Sequence, residues 1–144
     1  MSTHKYATPE SPTSLITTGL DSLANGARAV SAAVDNATGL YLYADFECNF
    51  ASAAFAAGAY VSLYLLESID ATNYEDGSTS VTPTAQALIA NIPFRNATAA
   101  QIHAARGIVL PPTNFKILLI NNTGVALAAS GSTLKCIRYN ENDV

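Results

Sequence analysis

Residues 110–134 read LPPTNFKILLINNTGVALAASGSTL. Phe115 to Ile120 (FKILLI) is an apolar run holding one Lys, with Pro111-Pro112 before it and Asn121-Asn122-Thr123-Gly124 after it. Such a run between breakers reads as a buried strand. The Asn-Asn-Thr-Gly tetrad reverses the chain, because Asn and Gly tolerate positive φ. A second short strand is expected over Val125 to Ala129, a turn at Ser130-Gly131-Ser132, and a third strand over Thr133 to Tyr139. The expectation is a tight β-meander without catalytic residues.

Working outward, Leu40 to Phe50 (LYLYADFECNF) is the clearest long strand. Leu40, Leu42, Ala44, Phe46 and Cys48 fall on one face; Tyr41, Tyr43, Asp45, Glu47 and Asn49 fall on the other. Ala59 to Ser68 is its expected antiparallel neighbour, reached by a small-residue turn at Ala56-Ala57-Gly58. The nineteen residues from Cys48 to Leu66 carry no charge, close to the length that spans a bilayer. They contain many Ala and Ser and alternate at Tyr60, Ser62 and Tyr64, so they read as strand, turn and strand rather than a membrane helix.

Further strands are expected over Ser14 to Leu20 and Ala27 to Val34, with turns at Asn25-Gly26 and Asp35 to Gly39. Asp70 to Thr84 is a polar loop of fifteen residues, and loops this long in compact domains are usually functional or mobile. Ala85 to Phe94 and Thr98 to Val109 contain helix formers as well as alternation. Strand is chosen for both because every clearer segment is β. Residues 1–12 hold two prolines and no periodic apolar pattern, and read as an extended arm. Eight or nine strands without βαβ alternation give an all-β single domain, a β-sandwich or jelly roll over residues 13–144.

At 144 residues the chain fits one domain. Charged residues make up only 12%, against about 25% in an ordinary soluble domain. A low-charge exterior rich in Ala, Ser and Thr suits contact with another protein; a small-residue-rich monomer is the bland alternative. Net charge is −4, and the seven basic residues (Lys5, Arg28, Arg95, Arg106, Lys116, Lys135 and Arg138) form no stripe. That argues against nucleic-acid binding, which needs clustered cations. The polar, Pro-containing start is not expected to be a signal peptide. The sequons at Asn36, Asn96 and Asn121 therefore read as turns.

Chemistry-bearing residues are sparse. Cys48 and Cys136 are far apart in sequence and read as buried free thiols, bridged only if the fold brings them together. His103 could serve a catalytic triad or pair with either Cys, but no nucleophile-elbow signature accompanies it. Asp45 and Glu47 share a strand face, where paired carboxylates could do glycosidase work; a solvated strand face is the simpler reading. The oxygen-rich loop from Asp70 to Gly77 departs from EF-hand spacing, and reads as an Asx turn before a calcium site. No cofactor or metal motif is found, and no enzymatic activity is expected.

Three stretches carry a resemblance. They are Ala27 to Tyr41, which fits an "(A/S)-A-A-(I/V)-D-N-x-T-x-L-Y" pattern; Tyr64 to Gly77 (YLLESIDATNYEDG); and Leu110 to Gly131, with an "LPP…FK" strand followed by "N-x-(S/T)-G-x-x-L-A-A-S-G". Together they resemble small jelly-roll structural proteins of tailed bacteriophages, of the head-decoration or cement kind. The resemblance implies a non-enzymatic virion protein on the outer surface of the phage head, assembled in the host cytoplasm. Its implied partners are the major capsid protein and two further copies of itself in a homotrimer, with neither nucleic acid nor membrane. A tail, neck or fibre-base component, or a glycan- or receptor-binding module using Tyr41, Tyr43, Tyr60, Tyr64 or Tyr74, is the alternative; a small hydrolase is a third class. The candidate partner-contact arm is His4, Lys5, Tyr6, Pro9 and Pro12, ordered by a neighbouring subunit. The candidate contact loop is Asp70, Asn73, Tyr74, Glu75 and Asp76.

Overall fold

A computed structural model describes residues 3–143. Its ten strands are β1 (His4–Tyr6), β2 (Thr13–Ile16), β3 (Arg28–Val30), β4 (Tyr43–Phe50), β5 (Tyr60–Ser68), β6 (Leu88–Pro93), β7 (Gln101–Val109), β8 (Asn114–Asn122), β9 (Thr133–Tyr139) and β10 (Glu141–Asp143). Single 3₁₀ turns occur at Thr18–Leu20 and Ala85–Ala87. The first of these replaces the end of the strand expected over Ser14 to Leu20, and Ala27 to Val34 shortens to β3 plus one bridge from Val34 to Phe115. Among the described residues no helix is long and apolar enough to cross a membrane.

Eight strands form two four-stranded antiparallel sheets, in the orders β2-β9-β4-β7 and β3-β8-β5-β6. One hydrophobic cluster takes side chains from both sheets, an arrangement consistent with a β-sandwich. Ala44, Phe46, Cys48 and Phe50 reach it from β4, and Phe115, Ile117 and Leu119 from β8. Phe50 stacks on Phe94 at 4.8 Å between ring centroids, and Phe55 lies 5.4 Å from Phe94.

The strand expected from FKILLI is buried on both faces. Leu118 and Ile120 point away from the main core and form a second cluster with Leu66 and Ala87. The 69–87 segment caps this outer face. Gly77 is so close that a Cβ there would stand 3.0 Å from both Leu66 methyls and from Pro83. Lys116 Nζ sits 4.3 Å over the Tyr74 ring, and Arg28 donates to Thr82 Oγ1. A two-sided burial explains why this strand is a continuous apolar run rather than an alternation.

Three expectations are corrected. The β-meander does not form: β8 and β9 lie in different sheets, and residues 125–129 are not a strand. Asn121, fully buried, holds that crossing by donating from Nδ2 to the carbonyls of Leu23 (2.8 Å) and Val125 (2.9 Å). Its Oδ1 accepts from Thr123 N–H and Thr123 Oγ1, and Leu127 N–H bonds to Leu23 O. Likewise β5 is not the hydrogen-bonded neighbour of β4 but belongs to the facing sheet. Their connection carries Phe55 into the core, so it crosses between layers instead of turning a hairpin. Finally, Leu40 and Leu42 do not continue the buried face of β4; both are exposed, and Leu40 adopts φ +48°. The fully buried Asn36 makes this turn, bonding Tyr41 N–H and O and Pro111 O.

Candidate functional site

The arm is tied to its own chain. β1 pairs with β10, matching His4 with Asp143 and Tyr6 with Glu141. Ala7 N–H bonds to Asn140 O and Glu10 N–H to Arg138 O. The Glu10 carboxylate takes a bidentate pair from Arg138, at 2.7 Å from Nε and 2.8 Å from Nη2, a strong geometry. The Glu10 contact, first among the causes, raises the Arg138 pKa. For the described residues the arm pairs with the C-terminal strand of its own chain, and residues 1 and 2 of the arm lie outside them. His4 Nε2 lies 2.8 Å from Glu141 Oε2. Lys5, Tyr6, Pro9 and Pro12 are exposed.

From Tyr6 to Pro9 the arm walls a cleft of ≈ 770 Å³ on the outer face of the β2-β9-β4-β7 sheet. Its floor is Asp45, Ile137 and Tyr139, and Arg106 and Gly107 form the opposite wall. A β-bulge shapes that wall: Ala44 pairs with Ile108 and Phe46 with Ala105, so Asp45 alone faces two residues, Arg106 and Gly107. Gly107 takes φ +64°, the left-handed region that glycine enters without strain. Its N–H donates to Asp45 Oδ1 at 2.8 Å, and Tyr139 Oη donates to the same oxygen at 3.1 Å. Tyr139 stacks on Tyr43 at 5.7 Å and meets Tyr6 edge-on at 5.3 Å. Its pKa is raised, first by burial and then by Asp45. A second hollow of ≈ 340 Å³ shares Asp45 and Ile137 and adds Pro12, Glu47 and Lys135.

The candidate contact loop is an ordered Asx turn. Asp70 Oδ1 accepts from the N–H of Asn73 (2.7 Å) and Thr72 (2.9 Å) and from Ser68 Oγ, while Oδ2 accepts from Asn73 Nδ2. The Asn73 backbone N–H, followed by its side chain, holds the Asp70 carboxyl far below the usual carboxylate range. Glu75 accepts from Glu67 N–H at 3.1 Å, and Asp76 is exposed. With both Asp70 oxygens occupied by loop donors, the turn accounts for the residues that suggested calcium.

Register does bring Cys48 opposite His103. Yet burial pushes the Cys48 thiol up to about 12, and His103 Nε2 is directed to Gln101 Oε1 at 3.1 Å. Burial also pushes Cys136 up to about 11. Cys136 faces Phe46 and Cys48 faces Leu134, so the two thiols are diagonal neighbours and both are free. Sequence reasoning singled out Asp45 but missed Tyr139, Arg106 and Gly107. The available signal was the glycine inside a strand pattern, which marks a bulge. No protein-family model and no curated protein sequence matches the chain.

Proposed function

We propose that the chain is a non-enzymatic structural protein of a tailed-phage particle, a decoration or cement protein that binds the outer head as a homotrimer. Its strand order supports a jelly-roll reading. From β2 to β9 the chain changes sheet at every connection except β5 to β6, so that β9 inserts between β2 and β4, and β8 between β3 and β5. That order agrees with the two Greek keys of a jelly roll, a fold that viral capsid and lectin domains share. The observation that carries the cement role is the set of large apolar side chains left in solvent on a chain with so few charges. Ile69 is 89% exposed, Val109 71% and Tyr6 68%. Ile69 opens the loop that caps one sheet, whereas Tyr6 and Val109 flank the outer face of the other.

A cement protein adds buried area across a capsomer junction, so the shell gains stability by binding linkage. Many symmetric copies multiply a modest contact, and a trimer suits a local threefold position. The test is cryo-electron microscopy of purified particles. Trimeric density on the head lattice with Ile69 or Val109 at a contact supports the reading. Density only at the tail, neck or fibre base retains a virion role and discards the clamp.

A further inference from the structure

We propose that the cleft between Tyr6 and Arg106 binds a neutral oligosaccharide. A pyranose presents a face of C–H groups and an edge of hydroxyls, and needs a site with both kinds of partner. Here Tyr6 and Tyr139 meet at an interplanar angle of 89°, which makes a corner of two aromatic planes. One ring of that corner is largely in solvent, ready to stack on a sugar face. Beside it, Asp45 holds one oxygen in place through Gly107 N–H and Tyr139 Oη. Its Oδ2 accepts no hydrogen bond among the described residues, and neither does the exposed Arg106 guanidinium donate one. A fixed carboxylate with an open oxygen and a free guanidinium form an acceptor and donor pair for adjacent hydroxyls.

The charges select the ligand. Asp45 and Arg106 line the cleft together, and in the adjoining hollow Glu47 lies opposite Lys135 in register. Each acid has a base beside it, so the groove carries no net field to attract a polyanion. The backbone argues against an added peptide strand. β4 and β9, which form the floor, are interior strands with partners on both sides, so the floor offers a ligand its side chains alone. The shared Asp45 and Ile137 set the two hollows side by side, which gives a second sugar unit a place next to the first. The cleft volume falls within the range of small-ligand sites, about 300–1,000 Å³.

The test is an array of neutral and sialylated oligosaccharides probed with the full chain, followed by NMR titration of the best neutral saccharide. Binding should favour neutral glycans and shift the amide signals of Asp45, Gly107 and Tyr139. Tyr6→Ala and Arg106→Ala each remove an exposed group, and each should weaken binding about tenfold or more. Tyr60→Ala, on the facing sheet, should leave it unchanged. Absence of neutral-glycan binding at millimolar concentration, preference for sialylated glycans, or affinity indifferent to Tyr6 and Arg106 would each overturn the proposal. The head-attachment experiment is read separately, so failure here leaves the structural role standing.

Discussion

Leu118→Ala tests whether the 69–87 segment is a true cover of the outer sheet face. Leu118 is fully buried, although it points away from the main core. Were that face open to water, truncation would change stability by about 0.5 kcal/mol or less. Beneath a cap, the lost transfer energy and residual cavity apply, and a buried Leu→Ala change costs about 2–5 kcal/mol. The cap is a loop that can settle into the space, so about 2–3 kcal/mol is expected, the low end of that range. The inward-facing Leu119→Ala, between two sheets that cannot close, should cost about 3–5 kcal/mol. Urea denaturation with matched m-values measures both, and Leu118→Ala should lower Tm by roughly 6–12 °C for a domain of this size. Shortening the 70–82 loop should itself destabilise, and in that background Leu118→Ala should cost less, a non-additivity of about 1 kcal/mol or more. A cost below about 1 kcal/mol in the intact protein, or strict additivity with the shortened loop, refutes the cap.

Asn121→Ala removes all four hydrogen bonds made by that side chain, and should destabilise by about 2–4 kcal/mol, measurable by the same denaturation. Cys48 and Cys136 should ignore a thiol reagent at pH 8 and react only as fast as the protein opens. Because their folded values lie near 12 and 11, above the ordinary 9, their contribution is whole below pH 9 and declines between pH 9 and 12; a stability profile flat across that range contradicts the burial argument. Asp70 titrates in the opposite sense. Its lowered pKa gives a contribution present above the ordinary value of 3.8 and lost as pH falls through the folded value. Carbon-detected NMR should find its carboxyl still ionised at pH 3, and a normal titration midpoint would negate the Asx-turn assignment.

What the sequence disclosed was local. Breakers around FKILLI marked β8, and period-two alternation marked β4 from Tyr43 to Phe50, because both signals belong to a single strand and its two faces. Sheet membership was not legible there. β4 and β5 are consecutive and both alternate, a pattern as suited to two facing layers as to a hairpin; the buried Phe55 between them decides it, and burial is a property of the assembled core. Val125 to Ala129 has strand-like residues, but Asn121 takes the Val125 carbonyl, and Leu127 N–H and Ala128 O bond to Leu23 and Ser22 instead of a ladder partner. The candidate cleft joins residues 6, 45, 106 and 139, which only topology brings together. Of these, Asp45 was visible as an acid on an outward face, whereas Tyr139 and Arg106 looked like ordinary members of a strand.

The β1–β10 ribbon pairs His4 with Asp143, residues far apart along the sequence. The pairing of Thr13 with Cys136 already closes most of the loop between them, so the ribbon adds three residue pairs and the Ala7, Tyr6 and His4 contacts beside them. Such a contact forms after the eight-stranded body is in place and opens before it. The ribbon is therefore a separate, low-stability cooperative unit, which amide exchange should resolve as the first protection to disappear. When it opens, the body keeps its core, and Tyr6 leaves the cleft wall with the arm. A neighbouring copy could then offer its own β10 to the released strand, so concentration would set the balance between arms clasped in cis and arms exchanged between copies.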